Sequence, residues 1–160
     1  MNKKKSASKD SGVKIILVNK KARFNYHLLE TLEVGMVLTG AEIKSIREGQ
    51  INLQESYVQA KQGELSLIGA HISQYAHSDD ANYNPTRTRK LLAHKREIIK
   101  LQTTVDRKGL TLVPTKIYLK RGRAKLEIAL AKGKDAPDKR KTIKEREQKK
   151  QAQRAVKNSY

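Results

Sequence analysis

The feature that most limits this chain is where its apolar residues stop. Between Lys132 and Tyr160 the only aliphatic side chains larger than alanine are Ile143 and Val156. Residues 132–160 instead hold eleven Lys/Arg and four Asp/Glu, a net charge of +7. Such a segment cannot bury enough surface to offset the entropy lost on ordering, so it is expected to be disordered in isolation. Residues 1–12, with four Lys and one Asp, read the same way, as a basic disordered N-terminus. Folding is left to residues 13–131, one small domain that must put most of its aliphatics inside.

Within residues 13–131 the dominant period is two. Tyr26, Leu28, Leu32, Val34, Met36 and Leu38 fall on even positions, with His27, Thr31, Glu33, Gly35 and Thr39 between them. That is a half-buried strand or two, bent at Gly35. Alternation returns from Ser56 to Ile72, broken at Lys61-Gln62-Gly63-Glu64 as by a hairpin turn. It returns again at Leu110/Leu112, Ile117/Leu119 and Leu126/Ile128/Leu130. Asp106-Arg107-Lys108-Gly109 and Lys120-Arg121-Gly122-Arg123 punctuate these as turns.

Two stretches change to helical spacing. Thr39 can cap a short helix carrying Ile43 and Ile46 and ended by Gly49. Asn84-Pro85 reads as the cap and first residue of a second helix. Leu91, Leu92 and Ile98 fall on one side of it, with Arg89, Arg96 and Lys100 opposite. Lys95 lies inside the apolar arc, so either its stem snorkels or the helix ends early. Short strands with hairpin punctuation and two or three short helices predict a mainly β fold, a small closed antiparallel barrel of the oligonucleotide-binding (OB) kind. A β-sandwich with peripheral helices fits the pattern almost as well.

Little supports an enzyme. The absence of Cys excludes disulfides, thiolate nucleophiles and cysteine zinc sites. His27, His71, His77 and His94 are isolated in sequence, and no HExxH, GxSxG or P-loop pattern occurs. His77-Ser78-Asp79-Asp80 has metal-ligating residue types but lies in a polar loop and reads as solvated. Glu42 with Glu48, or Glu30 with Glu33, could be imagined as acid/base pairs, but carboxylates near basic residues usually balance charge. The chain is read as no enzyme, with no metal and no cofactor. No apolar run approaches about 18 residues, so no transmembrane helix is expected. Val13 to Val18 is too short for the apolar region of a signal peptide, and a cytoplasmic protein is expected.

The formal charge of +19 calls for a polyanion, nucleic acid first, then an acidic membrane surface or acidic protein. The two ends account for +10 of it and leave +9 on residues 13–131. That charge gathers in Asn19-Lys20-Lys21-Ala22-Arg23, in Arg87-Thr88-Arg89-Lys90 with Lys95-Arg96, and in Lys120-Arg121-Gly122-Arg123-Ala124-Lys125. Any one such cluster is ordinarily a solvated surface. Three, flanked by two basic ends, point to RNA or DNA, bound with a steep salt dependence. Aromatics are few: Phe24, Tyr26, Tyr57, Tyr75, Tyr83, Tyr118 and Tyr160. That is thin for single-strand recognition by stacking and suits a reader of structured RNA. Glu33 is odd among cations if phosphates are the only partner. It can accept hydrogen bonds from base amino groups or a 2′-hydroxyl, or merely orient Lys44 or Arg23. In the tail, Asp138 precedes a run of cations with the polarity a helix dipole prefers, and Glu145 and Lys149 form an i,i+4 pair. The tail is expected to become helical only when phosphates neutralise it.

These residues together resemble the SsrA-binding protein family, or small protein B, the bacterial partners of transfer-messenger RNA (tmRNA). The resemblance runs from about Ile15 to Asn158. It rests on Asn19-Lys20-Lys21-Ala22-Arg23 with Tyr26, Glu33-Val34-Gly35, Gly40-Ala41-Glu42-Ile43-Lys44-Ser45-Ile46-Arg47 and Glu55-Ser56-Tyr57-Val58. It continues through Pro85-Thr86-Arg87-Thr88-Arg89-Lys90-Leu91-Leu92, Lys95-Arg96-Glu97 and Ala131-Lys132-Gly133-Lys134 to Asp138-Lys139-Arg140 and Ile143-Lys144-Glu145-Arg146-Glu147. The resemblance implies an OB-type barrel over 13–131 that grips the tRNA-like domain of tmRNA and delivers it to stalled ribosomes in trans-translation. It implies a tail, 132–160, that enters the decoding centre and messenger channel as a helix. Elongation factor Tu with aminoacylated tmRNA is a further implied partner, and no membrane is.

Positions matching the family's RNA-binding residues are Asn19, Ala22, Tyr26, Glu33, Leu92 and His94, with the basic Arg23, Lys44, Arg89, Lys90 and Arg96. Lys20, Arg87, Lys120, Arg121, Arg123 and Lys125 join them from the basic clusters. Asp138, Lys139 and Arg140 match the ribosome-engaging motif, with Lys132, Lys134, Lys144 and Arg146 around it. Pro137 stands where some relatives carry His, and Ala155 and Val156 replace bulkier apolar residues. The alternative function is a nonspecific basic RNA chaperone or ribosome-associated protein.

Overall fold

The computed structural model describes residues 12–158. Residues 1–11 and 159–160, which include most of the expected disordered N-terminus and Tyr160, lie outside them. In chain order the elements are β1 (Val13–Val18), α1 (Lys20–Asn25), β2 (Tyr26–Met36), α2 (Gly40–Arg47), β3 (Ile51–Asn52), β4 (Tyr57–Lys61) and β5 (Glu64–Ile68). There follow β6 (His71–Ile72), β7 (Arg89–Leu92), α3 (Lys95–Lys108), β8 (Thr111–Lys120), β9 (Arg123–Gly133) and α4 (Ala136–Lys157). The fold is mainly β. One large antiparallel sheet runs in the order β1-β8-β4-β5-β7-β2-β9, β8 pairs with β9 as well, and β3 pairs with β6 apart from it.

The alternation along β2 has the expected consequence. Leu32 and Val34 sit opposite Ile128 and Leu126 of β9. Leu126 in turn sits opposite Ile117 of β8. Aliphatics of three strands thus share one face, and Val34, Ile117, Leu126 and Ile128 are all buried there. The irregularity of β2 falls at Leu29, not at Gly35: the register shifts between Leu28 and Glu30, which leaves Leu29 exposed. The hairpin turns at 61–64 and 120–123 are as expected, with Gln62 and Arg121 at positive φ. α2 opens on a capping box, in which Glu42 N–H donates to the Thr39 side chain and Thr39 N–H to the Glu42 carboxylate.

The second helix expected from Asn84-Pro85 is a turn followed by a strand. The Asn84 side chain accepts from Thr86 N–H at 3.1 Å, which closes a local turn instead of capping a helix. Residues 89–92 then alternate, Arg89 and Leu91 inward, Lys90 and Leu92 outward, as β7 pairs with β5 and β2. The helix that does form begins at Lys95, whose place in its first turn explains the apparent lysine in an apolar arc. Its cap residue is His94, whose N–H donates to Glu97 at 3.1 Å, and Ile98 and Leu101 bury its inner face. The turn expected at 106–109 is the end of this helix, with Gly109 as C-cap.

Arg89 occupies an inward position of β7 because a carboxylate waits there. Its guanidinium donates to Glu42, to Ala70 O at 2.8 Å and to Pro85 O at 2.9 Å. Arg87 donates to the other oxygen of Glu42. The side chains of Arg89 and Glu42 are wholly buried, while that of Arg87 is partly exposed. Burial opposes charge on Glu42, but the hydrogen bonds from Arg89 and Arg87 outweigh it and hold the carboxyl below its ordinary range.

Residues 136–157 form the helix α4, with Pro137 in its first turn and no buried side chain. Its base is tied to the end of α1 and the start of β2. Lys134 N–H donates to Asn25 O at 2.9 Å, His27 Nε2 lies 3.1 Å from Asp138, and the Arg146 guanidinium stands 6.0 Å from the centre of the Phe24 ring.

Candidate nucleic-acid interface

Some of the predicted residues gather in two places, at opposite ends of β2, and the rest lie elsewhere. Nine positions separate Tyr26 from Gly35, roughly 30 Å of extended strand.

The first surface is at the far end. Gly35 lies opposite Leu92 of β7 on one side and Lys125 of β9 on the other, and Lys125 lies opposite Tyr118 of β8. These residues form a row across four strands. A Cβ on Gly35 would lie 3.3 Å from that of Leu92, so the glycine lets Leu92 lie close across β2 while remaining 53% exposed. Beside this row Glu33, Lys120, Arg121, Arg123 and Lys125 line a cleft of about 450 Å³. Arg47 of α2 donates to Gly122 O at 3.4 Å, so a further cation abuts the β8–β9 turn.

Glu33 is held, not free. The Tyr118 hydroxyl donates to its Oε2, and Lys120 Nζ lies 3.6 Å from its Oε1. The Tyr118 hydrogen bond is the main reason its carboxyl sits below the ordinary range; burial opposes it, and Lys120 and Lys125 add to the lowering. Burial, and then the Glu33 carboxylate, push the Tyr118 hydroxyl up, so it stays a donor. Lys44 and Arg23, which Glu33 merely orients in the alternative reading, are elsewhere. Lys44 stands 5.4 Å above the Tyr75 ring, and Arg23 is exposed on α1. Sequence reasoning missed Tyr118, although period two puts it on the same face as Lys120.

The second surface is at the start of β2. Asn19, Ala22 and Tyr26 line a groove of about 380 Å³ together with Lys21, Glu55 and Tyr57. Asn19 and Ala22 are nearly buried, and Asn19 is fully engaged in seating α1. Its side chain accepts from Ala22 N–H at 3.2 Å and donates to Leu53 O at 3.3 Å and Pro114 O at 2.9 Å. Both therefore shape the groove rather than reach out of it. Lys20 and Arg23 are exposed beside it.

The remaining expected contacts divide by burial. Arg89 is a correction: wholly buried against Glu42, it cannot meet a phosphate. Arg87 shares that carboxylate but keeps 41% of its side chain exposed. Lys90 pairs with Glu64 at 3.1 Å in solvent, and His94 and Arg96 are exposed at the start of α3. In the tail, Asp138 faces His27, Lys134 donates to Thr142 at 3.1 Å and Arg146 lies on Phe24, while Lys132, Arg140 and Lys144 are exposed and Lys139 is half-buried. His77 packs edge-to-face on Tyr75, the ring centres 5.3 Å apart, and among the described residues there is no group of three or more His, Asp or Glu placed to hold a metal ion.

A mainly β body with cationic clefts and an appended basic helix defines a class, the basic proteins built to meet a folded polyanion. The particular family follows from comparison. The model of the "SmpB protein" family matches residues 16–158. Curated relatives called "SsrA-binding protein" include one from Trichormus variabilis, 51% identical over 95% of this chain and 99% of its own. Another, from Persephonella marina, is 49% identical over 91% of this chain and 96% of its own. A solved structure described as "tmRNA-SmpB: a journey to the center of the bacterial ribosome" has a chain 46% identical, with a TM-score of 0.63, covering 75% of this chain and 85% of its own. The chain belongs to the SmpB protein family.

Proposed function

We propose that this protein is a non-catalytic adaptor that binds the tRNA-like domain of tmRNA and delivers it to stalled ribosomes for trans-translation. The observation that carries the reading is the Glu33 cleft: a carboxylate pinned by Tyr118, rimmed by four cations and bordered by the exposed Leu92. Cations alone would hold any polyanion. A fixed acceptor among them favours an RNA that offers a base amino group or 2′-hydroxyl at that point. The names of the relatives and of the matched complex support the same partners, tmRNA and the ribosome. Elongation factor Tu carrying aminoacylated tmRNA belongs to the same step, and the ribosome makes the cytoplasm the compartment. Among the described residues no helix is long and apolar enough to cross a membrane.

Residues 13–131 serve as the RNA-gripping body. We read the sheet as a closed OB-type barrel, because β8 pairs both with β4 and with β9. The tail, 132–160, works separately. With no buried side chain on α4, its helix depends on few contacts, so it is disordered when released and helical on the ribosome.

Binding of the purified protein to tmRNA and to an unrelated structured RNA of similar length, measured across a salt series, tests the adaptor reading. Preference for tmRNA at every salt concentration is expected. Equal affinity for both would leave a nonspecific RNA chaperone. A chain ending at Ala131 keeps tmRNA binding and loses ribosome rescue, and loss of both would make the tail part of the RNA grip.

A further inference from the structure

The space beneath α3 has a chemistry that RNA binding does not use. Leu101 of α3, Leu32 of β2, Leu112 of β8 and Ile128 and Leu130 of β9 line a cleft of about 130 Å³ between the helix and the sheet. All but Leu32 are buried core residues. The register shows why they leave a gap. Leu112 lies opposite Leu130, and Leu130 opposite Glu30, so a row of core aliphatics ends on β2 in a carboxylate. Glu30 is the first paired residue after the register shift at Leu29. An aliphatic side chain there would extend the row and close the space. Glu30 instead stands at the cleft with 55% of its side chain exposed, and Lys100 of α3 donates to it at 3.1 Å. Glu97 lines the same cleft and gives one carboxylate oxygen to His94 N–H. Two carboxylates against one lysine make this a locally acidic place in a chain of net charge +19.

We propose that this cleft binds a small organic ammonium ion carrying one apolar ring, the ring against the five aliphatics and the ammonium on Glu30 and Glu97. A space of this size walled by aliphatic side chains takes a benzene-sized group and holds water poorly. Larger ligands need pockets of several hundred Å³. The Glu30–Lys100 pair is exposed, hence weak and exchangeable, so an ammonium replaces Lys100 on the carboxylate while Lys100 turns into solvent. Charge then selects the ligand's sign. An anion, a phosphate of RNA included, meets two carboxylates at close range. The more distant cations of the chain matter little at physiological salt, where screening sets in over about 8 Å. A seated ring ties α3 to three strands, so the ligand stabilises the folded chain.

The test uses the full chain, its leucine and isoleucine methyl groups followed by NMR, and three probes of similar size: 2-phenylethylamine, 2-phenylethanol and phenylacetate. The amine shifts the methyl signals of Leu101, Leu112 and Ile128 and saturates in the millimolar range, as suits so small a ligand. The alcohol binds several-fold more weakly and the acid most weakly of the three. Glu30→Leu, which carries the aliphatic row into the space, abolishes binding of all three while its thermal unfolding midpoint is kept or raised. Glu30→Gln, which removes only the charge, weakens the amine several-fold and leaves the alcohol unchanged. Shifts that fail to saturate, or that fall only on the exposed Leu29 and Ile99, mean adventitious surface binding and overturn the site. Undiminished binding by Glu30→Leu overturns it as well, because the ligand then sits elsewhere. Acid that binds as tightly as amine overturns the role of the carboxylates. Competition between the amine and tmRNA puts the ligand on an RNA surface and overturns the proposal while the adaptor reading stands.

Discussion

Glu42, on α2, meets Arg87, Arg89 and Thr39 N–H, and Glu33, near the end of β2, meets Tyr118 and Lys120; the two regions differ in what lies beyond those partners. Around Glu42 there is only protein. Arg89 spends its guanidinium on Glu42 and two carbonyls, and the pair is sealed from solvent. Around Glu33 one side is protein, the Tyr118 hydroxyl, and the other is an open cleft of cations. A carboxylate with all its lone pairs committed is a fold determinant. A carboxylate fixed on one side and open on the other can recognise something. Arginines divide by the same criterion: Arg89 holds strand β7 in the body, while Arg121 and Arg123 stand exposed at the cleft.

The largest expected effect falls on the sealed pair. Glu42→Gln leaves Arg89 buried without a counter-charge and costs about 3–5 kcal/mol of folding stability, read by urea unfolding. A loss as small as that of a surface substitution would mean that water or rearrangement serves Arg89, and the contrast with Glu33 would weaken.

Acid should produce a lesser version of the same loss. The folded carboxyl of Glu42 titrates below its ordinary value of 4.5, so its stabilisation is complete above that pH and is lost as pH falls through the lower folded value. Glu33 is shifted in the same direction but is exposed, so it contributes less. Unfolding measured at a series of pH values below 4.5 should show a slope that Glu42→Gln flattens. A slope flattened more by Glu33→Gln would reverse the comparison.

Much of this was readable before any coordinates. The Tyr26–Leu38 alternation, the Thr39 cap and the turns at 61–64 and 120–123 depend on local rules, and local rules held. The failure at 84–92 has a physical cause. An inward arginine looks polar in a hydrophobic pattern, so Arg89 hid the alternation of β7, and only Glu42, 47 residues away in sequence, makes its burial possible. The Glu33 site was legible by composition but not by geometry: no short-range signal joins Glu33 to Tyr118, 85 residues on, and the pairing of β2 with β9 and β9 with β8 supplies the link. Lys21, Glu55 and Tyr57 were each visible in the sequence motifs, but their meeting in one groove belongs to the tertiary fold.

The central claim is that Glu33 serves recognition rather than folding, and the most direct measurement is tmRNA affinity of Glu33→Gln alongside its unfolding midpoint. The account predicts affinity reduced about tenfold, on the order of one charge-assisted hydrogen bond, with the midpoint nearly unchanged. Unchanged affinity, with or without a shifted midpoint, would contradict it.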